Sequence, residues 1–172
     1  DPLIRNLEIL IEICKALTFA HSKGIIHRDI KPSNVMLSAH GGVYLLDWGL
    51  AYLFDKESEL APIVHSGLLL DETEGFYGTP TYMAPEMLDE NASLTPQTDV
   101  FLLGGMLYTI LEGQAPHHGN TVEDVLLSIF QQPEKPFSTN SPPALVEITK
   151  RALSFHMEER YQSVGAFRSA LI

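Results

Sequence analysis

Between Thr95-Pro96 and Gly113 the chain carries a run that no half-exposed helix would use. Val100, Phe101, Leu102, Leu103, Met106, Leu107, Tyr108, Ile110 and Leu111 cover every face of a helix predicted over Gln97 to Glu112. A helix that is apolar all round is enclosed by other elements, so this one is expected at the centre of the core. Gly104-Gly105 lies in its middle, where each glycine costs ~1 kcal/mol relative to alanine. That placement predicts close backbone packing. Asp99, near the helix start, would be expensive to bury unpaired. Either it finds a partner or it simply favours the positive helix N-terminus.

The other helices read more plainly. Asp1-Pro2 can cap and start one, and Leu3, Leu7, Leu10, Cys14 and Leu17 then recur every three or four residues. Ile4, Ile9, Ile11 and Ile13 widen that stripe, so this helix too should be largely buried, ending at Gly24 after Lys23. His21 is read as a helix-end packing residue. Thr121-Val122-Glu123-Asp124 resembles a capping box opening an amphipathic helix to Phe130. Pro133 and Pro136 break the chain, Ser141-Pro142 begins a helix through Leu153, and Ser163 caps a last one ending at Ile172. His117-His118-Gly119 reads as loop, with poor ligand spacing for a metal.

At 172 residues there is room for one domain with a real core. A net charge of -11 argues against nucleic acid or an anionic membrane as partner. No run is apolar enough to span a bilayer and no signal peptide opens the chain. The one cysteine, Cys14, cannot form an internal disulfide and suits a reducing, cytoplasmic compartment.

The chemistry is concentrated in His27-Arg28-Asp29-Ile30-Lys31-Pro32-Ser33-Asn34. A carboxylate, an ammonium and a carboxamide fall within six positions there. Thirteen residues beyond Asn34 comes Asp47-Trp48-Gly49. Between them Val35 to Leu37, a turn from Ser38 to Gly42, and Val43 to Leu46 read as a hairpin. Closing that hairpin brings Asn34 and Asp47 together. Two oxygen donors without thiolate or imidazole suit Mg2+, with phosphate oxygens and waters as its other ligands. Asp29 is placed to accept a proton from a hydroxyl nucleophile, although aspartate is also a common turn residue. His27 is read as a structural hydrogen-bonding residue, and Arg28 as a half-buried charge that requires a partner.

This pattern, H-R-D-x-x-x-x-N followed by D-x-G, resembles the eukaryotic-type serine/threonine protein kinases. Gly78-Thr79-Pro80-Thr81-Tyr82-Met83-Ala84-Pro85-Glu86 looks like the substrate-docking loop and A-P-E end of the same family. The wording of D-I-K-P-S-N-V-M-L and D-W-G-L-A is most similar to bacterial, signalling members. The resemblance implies transfer of the ATP γ-phosphate to serine or threonine hydroxyls of a protein substrate. Asp29, Lys31 and Thr79 would be catalytic; Lys31, Ser33, Asn34 and Asp47 would contact the nucleotide; Asn34 and Asp47 would hold Mg2+. It further implies that Arg28 receives a phosphate, that Asp99 braces the catalytic-loop amides, and that Arg160 pairs with Glu86. Trp48 stands where the family has phenylalanine and can fill the same apolar role.

The resemblance covers only the helical C-terminal lobe of the fold. The expected class is mainly α with a small β-hairpin, residues 1–172 forming one lobe with a catalytic loop at 27–34 and an activation segment at 47–86. The 172 residues hold no glycine-rich loop, strand lysine or partner glutamate, so the N-terminal ATP-binding lobe is expected to be absent from this chain and the fragment inactive alone. Its apolar cleft face would then favour self-association. A flexible segment with a short helix around Ala51 to Glu59 is expected, with Thr73 and then Ser66 as loop phosphorylation sites. From Glu57 through Glu134 there are 13 acids and no lysine or arginine. That stretch is either a solvated acidic surface or a groove that attracts substrates basic around the phosphosite. A non-catalytic scaffold and a docking module are the competing functions; the intact Asp29, Lys31, Asn34 and Asp47 argue against the first.

Overall fold

The structure is a computed structural model describing residues 1–54, 78–131 and 135–172. Helix α1, Pro2–Ser22, opens on Asp1, whose carboxylate accepts from the Leu3 N–H at 2.8 Å. Its last turn releases into Gly24, which takes the left-handed conformation (φ 78°) that only glycine adopts without cost. Leu10, Ile13, Cys14 and Leu17 form its buried stripe. Burial pushes the Cys14 thiol up to about 12 against the opposing charge of Arg168, so the cysteine is a packing residue and not a thiolate.

Helix α2, Pro96–Glu112, is the central rod expected from its all-round apolar surface, buried from Thr98 through Tyr108. The Thr95 N–H is satisfied by Thr98 Oγ1, and Gly113 ends the helix left-handed (φ 71°). The remaining helices are α3 (Val122–Gln131), α4 (Pro143–Ala152) and α5 (Val164–Ala170). Helices α1, α4 and α5 pack around α2, and together they build one core with Phe101, Leu107, Ala152 and Phe167 at its middle. The double glycine explains how close they come. A Cβ on Gly104 would lie 2.7 Å from the Ala152 Cβ, and one on Gly105 3.1 Å from both Pro116 and Tyr82.

Two small antiparallel sheets complete the fold. Strands β2 (Val35–Leu37) and β3 (Val43–Leu45) form the expected hairpin, pairing Val35 with Leu45 and Leu37 with Val43. Ser38 Oγ accepts from the Gly42 N–H at 2.9 Å, which closes its turn. The second sheet was not anticipated: β1 (Ile25–Ile26) pairs with β4 (Tyr52–Leu53). The helix expected around Ala51 to Glu59 is therefore wrong where it can be seen, because Tyr52 and Leu53 are drawn into extended pairing by the unsatisfied edge of Ile25–Ile26. The rest of that span, with Ser66 and Thr73, lies outside the described residues. The last helix stops at Ala170 rather than Ile172, and α4 runs over Pro143–Ala152.

Candidate active site

The loop at 27–34 is held from below by the core. Asp99 is fully buried in α2, and its carboxylate accepts from the backbone N–H groups of His27 (2.9 Å) and Arg28 (3.0 Å). His21 Nε2 meets the same carboxylate at 2.8 Å. His21 is thus a third tie on Asp99 and not mere packing, a role invisible in sequence because the partners lie 78 positions apart. These ties hold Arg28 in a left-handed conformation (φ 69°), which turns the chain sharply into Asp29. His27 Nδ1 accepts from the Asp29 N–H, so its Nε2 carries the proton and donates to the Leu46 carbonyl. Burial lowers the His27 pKa, outweighing the raising effect of Asp99 and the Leu46 carbonyl, and keeps the ring neutral.

Asp29 sits 5% exposed at the head of a four-residue cluster. Lys31 Nζ donates to its Oδ2 at 2.7 Å and Asn34 Nδ2 to the same oxygen at 3.0 Å. Thr79 Oγ1 donates to Oδ1 at 2.8 Å while accepting from Lys31 Nζ, so the threonine bridges Asp29 and Lys31. Burial alone would push the Asp29 carboxyl up. The hydrogen bonds from Lys31, Thr79 and Asn34, with the Lys31 charge, outweigh it and hold the group below the usual carboxylate range. Asp29 is therefore ionised at neutral pH and available as an acceptor.

Asn34 Nδ2 also donates to the Asp29 carbonyl at 2.8 Å, which turns its amide oxygen to the opposite side. The hairpin brings Leu46 back so that its N–H reaches the Asn34 carbonyl at 2.8 Å, with Asp47 next in the chain. Asp47 is exposed and left-handed (φ 60°). Ser33 is exposed in the short turn Pro32–Asn34. Among the described residues no group of three or more His, Cys, Asp or Glu could hold a metal. A carboxylate and an amide oxygen fit Mg2+ only where a ligand's phosphates complete its shell.

Two further ion contacts frame the site. The Arg28 guanidinium donates from Nε to the Leu50 carbonyl and lies 5.4 Å from the centre of the Tyr52 ring. Glu86 accepts a bidentate pair from Arg160, Oε1 from Nη1 at 2.7 Å and Oε2 from Nη2 at 2.9 Å. Arg160 is 0% exposed, and its remaining donors reach the Ser154, Gln97 and Phe155 carbonyls. A buried guanidinium with all five N–H groups satisfied is a structural rivet between the 78–88 segment and the helices. One residue that the sequence places only in a loop is buried: His117, 4% exposed, stacks on Phe101 at 5.9 Å.

Residues 5–170 match the protein kinase domain. The chain is 34% identical to serine/threonine-protein kinase PknD of Protochlamydia amoebophila over 94% of its own length and 18% of the relative's. It is 35% identical to serine/threonine-protein kinase Pkn1 of Myxococcus xanthus, over 96% of this chain and 23% of that one. PknB of Mycobacterium tuberculosis is 32% identical over 98% of this chain and 26% of its own length. The chain belongs to the protein kinase family. It spans about a quarter or less of the length of the relatives it matches. Among the described residues no helix is long and apolar enough to cross a membrane.

Proposed function

We propose that this chain is the C-terminal lobe of a serine/threonine protein kinase and carries its phosphoryl-transfer residues. The observation that supports it best is the Asp29 cluster, an ionised carboxylate ringed by Lys31, Asn34 and Thr79. Asp29 would accept the hydrogen bond of the substrate hydroxyl, orient its oxygen, and take the proton late in a loose transfer. Lys31 would meet the charge on the γ-phosphoryl oxygens once a nucleotide draws it part-way from Asp29. Thr79 would keep both in register, and Asn34 and Asp47 would hold Mg2+, with Ser33 beside the nucleotide. Bound Mg2+ supplies charge neutralisation on the phosphates. In the full-length kinase, Asp47→Asn should abolish transfer without shifting the unfolding midpoint; retained turnover would remove Asp47 from the site.

The same reading extends to partners. Asp89, Glu90, Glu123 and Asp124 are exposed around the proposed peptide groove, and substrates basic around the phosphosite would be favoured. Equal low-salt rates for arginine-flanked and glutamate-flanked peptides would refute that. Met36, Leu37, Tyr44 and Leu46 expose apolar surface on the hairpin, the face where adenine and a second lobe would lie. We infer that the 172 residues alone self-associate and do not phosphorylate, and that the kinase works where ATP is supplied, in the cytoplasm.

A further inference from the structure

We propose that Trp48 is a positioning residue that latches the Asp47 backbone in its ligand-presenting state, a task phenylalanine could not perform. The inference rests on reading Asp47 as a Mg2+ ligand. Asp47 has φ 60° and ψ 69°, in a region that residues other than glycine seldom occupy. Such a conformation persists only where its surroundings determine it. Here three ties converge on its neighbours. Trp48 Nε1 donates to the Leu45 carbonyl at 3.0 Å, so the side chain following Asp47 bonds to the backbone two residues before it. His27 Nε2 donates to the Leu46 carbonyl at 3.0 Å, and the Asn34 carbonyl accepts from the Leu46 N–H.

The indole and the imidazole are also in edge contact, their ring centres 4.6 Å apart at 64°. Rotating Asp47 into the right-handed or extended region would swing Trp48 off both the Leu45 carbonyl and the His27 ring. A phenylalanine would keep the ring contact and lose the donor. With Trp48 37% exposed, water competes for its N–H and the latch is modest. Loss of one such hydrogen bond shifts a population by about fivefold.

Trp48 is the only tryptophan of the chain, so its indole N–H gives a single reporter. In the 15N-labelled full-length kinase the Trp48 indole should give one cross-peak, assigned by its loss in Trp48→Phe and exchanging with deuterium measurably more slowly than free indole. Two exchanging peaks, or exchange at the free rate, would overturn the latch. In the full-length kinase, Mn2+ binding with a non-hydrolysable ATP analogue can be followed by electron paramagnetic resonance. Trp48→Phe should weaken it, with about fivefold as the upper limit because the latched state dominates, and with little change in the urea midpoint. Unchanged Mn2+ affinity in Trp48→Phe, with binding lost in Asp47→Asn, defeats the latch and leaves Asp47 as ligand. Binding retained in Asp47→Asn defeats the metal reading itself.

Discussion

Replacing Asp99 by asparagine tests whether one buried carboxylate carries the geometry of the loop at 27–34, the proposed catalytic loop. Three donors converge on it: the His27 N–H, the Arg28 N–H and His21 Nε2. Asparagine offers one acceptor oxygen and two donor hydrogens, so at least one backbone N–H would face another N–H. A hydrogen bond to a charged acceptor contributes about 1.5–3 kcal/mol, and an unsatisfied buried donor costs about 1–3 kcal/mol. The sum is about 2.5–6 kcal/mol, a large share of a domain's typical margin of about 5–15 kcal/mol. Arg28, left-handed at φ 69°, would be the first residue to relax, carrying Asp29 with it. Urea unfolding should show the full loss for Asp99→Asn and a smaller one, about 1.5–3 kcal/mol, for His21→Phe, which removes the third tie alone. Phosphoryl transfer by the full-length kinase should fall further than stability does in the aspartate variant. Urea midpoints indistinguishable from the parent, with turnover intact, would refute the bracing role.

Three other outcomes follow from the packing. Gly104→Ala puts a methyl 2.7 Å from the Ala152 Cβ; thermal unfolding should show a loss of about 1–3 kcal/mol from overpacking despite the better helix propensity. Glu86→Gln strands the charge of Arg160, which is 0% exposed, and should cost about 3–5 kcal/mol by denaturant unfolding, with little recovered at high salt because the pair is shielded from solvent. His117→Phe should stabilise the chain and flatten its acid limb. Burial, with the Lys135 charge nearby, pushes His117 down to about 3 from 6.5, so below pH 6.5 the unfolded state binds the extra proton and stability falls toward pH 3. The phenylalanine variant loses that slope; an unchanged pH–stability curve would show that His117 is not the group responsible.

How much of this was legible in the sequence depends on the range of the signal. The central rod over 96–112, its double glycine, the hairpin and the Ser163 cap are local patterns, and each is where periodicity and turn chemistry place it. The hairpin also determines, within the chain, that Asn34 and Leu46 end side by side. His21 was misread because nothing in a helix-end histidine names an aspartate 78 residues away. The pairing of Ile25–Ile26 with Tyr52–Leu53 failed for a related reason. Two-residue strands carry no period, and Ala51 to Glu59 has enough apolar and charged residues to pass for a helix. His117 lies in a loop as composition suggests, but its burial was not legible, because only the stacking surface of Phe101 explains it.

The two non-glycine residues with left-handed backbone among those described are Arg28 and Asp47, one on each side of the proposed transfer site. Neither conformation is favoured by its own residue, so each must be held from outside. Arg28 is held by Asp99 of the central helix, and Asp47 by Trp48, by His27 and by the closed hairpin. His27 belongs to both sets: its N–H is bound to Asp99 while its ring supports Leu46 and meets Trp48. The proposed proton acceptor, Asp29, and the proposed metal ligand, Asp47, are therefore aligned through one neutral imidazole rather than independently. A protonated ring would lose the acceptor at Nδ1 that receives the Asp29 N–H, and burial disfavours that charge. This is why His27 and Ile30 are both fully buried beside residues whose chemistry is polar: keeping the imidazole dry keeps both halves of the site in register.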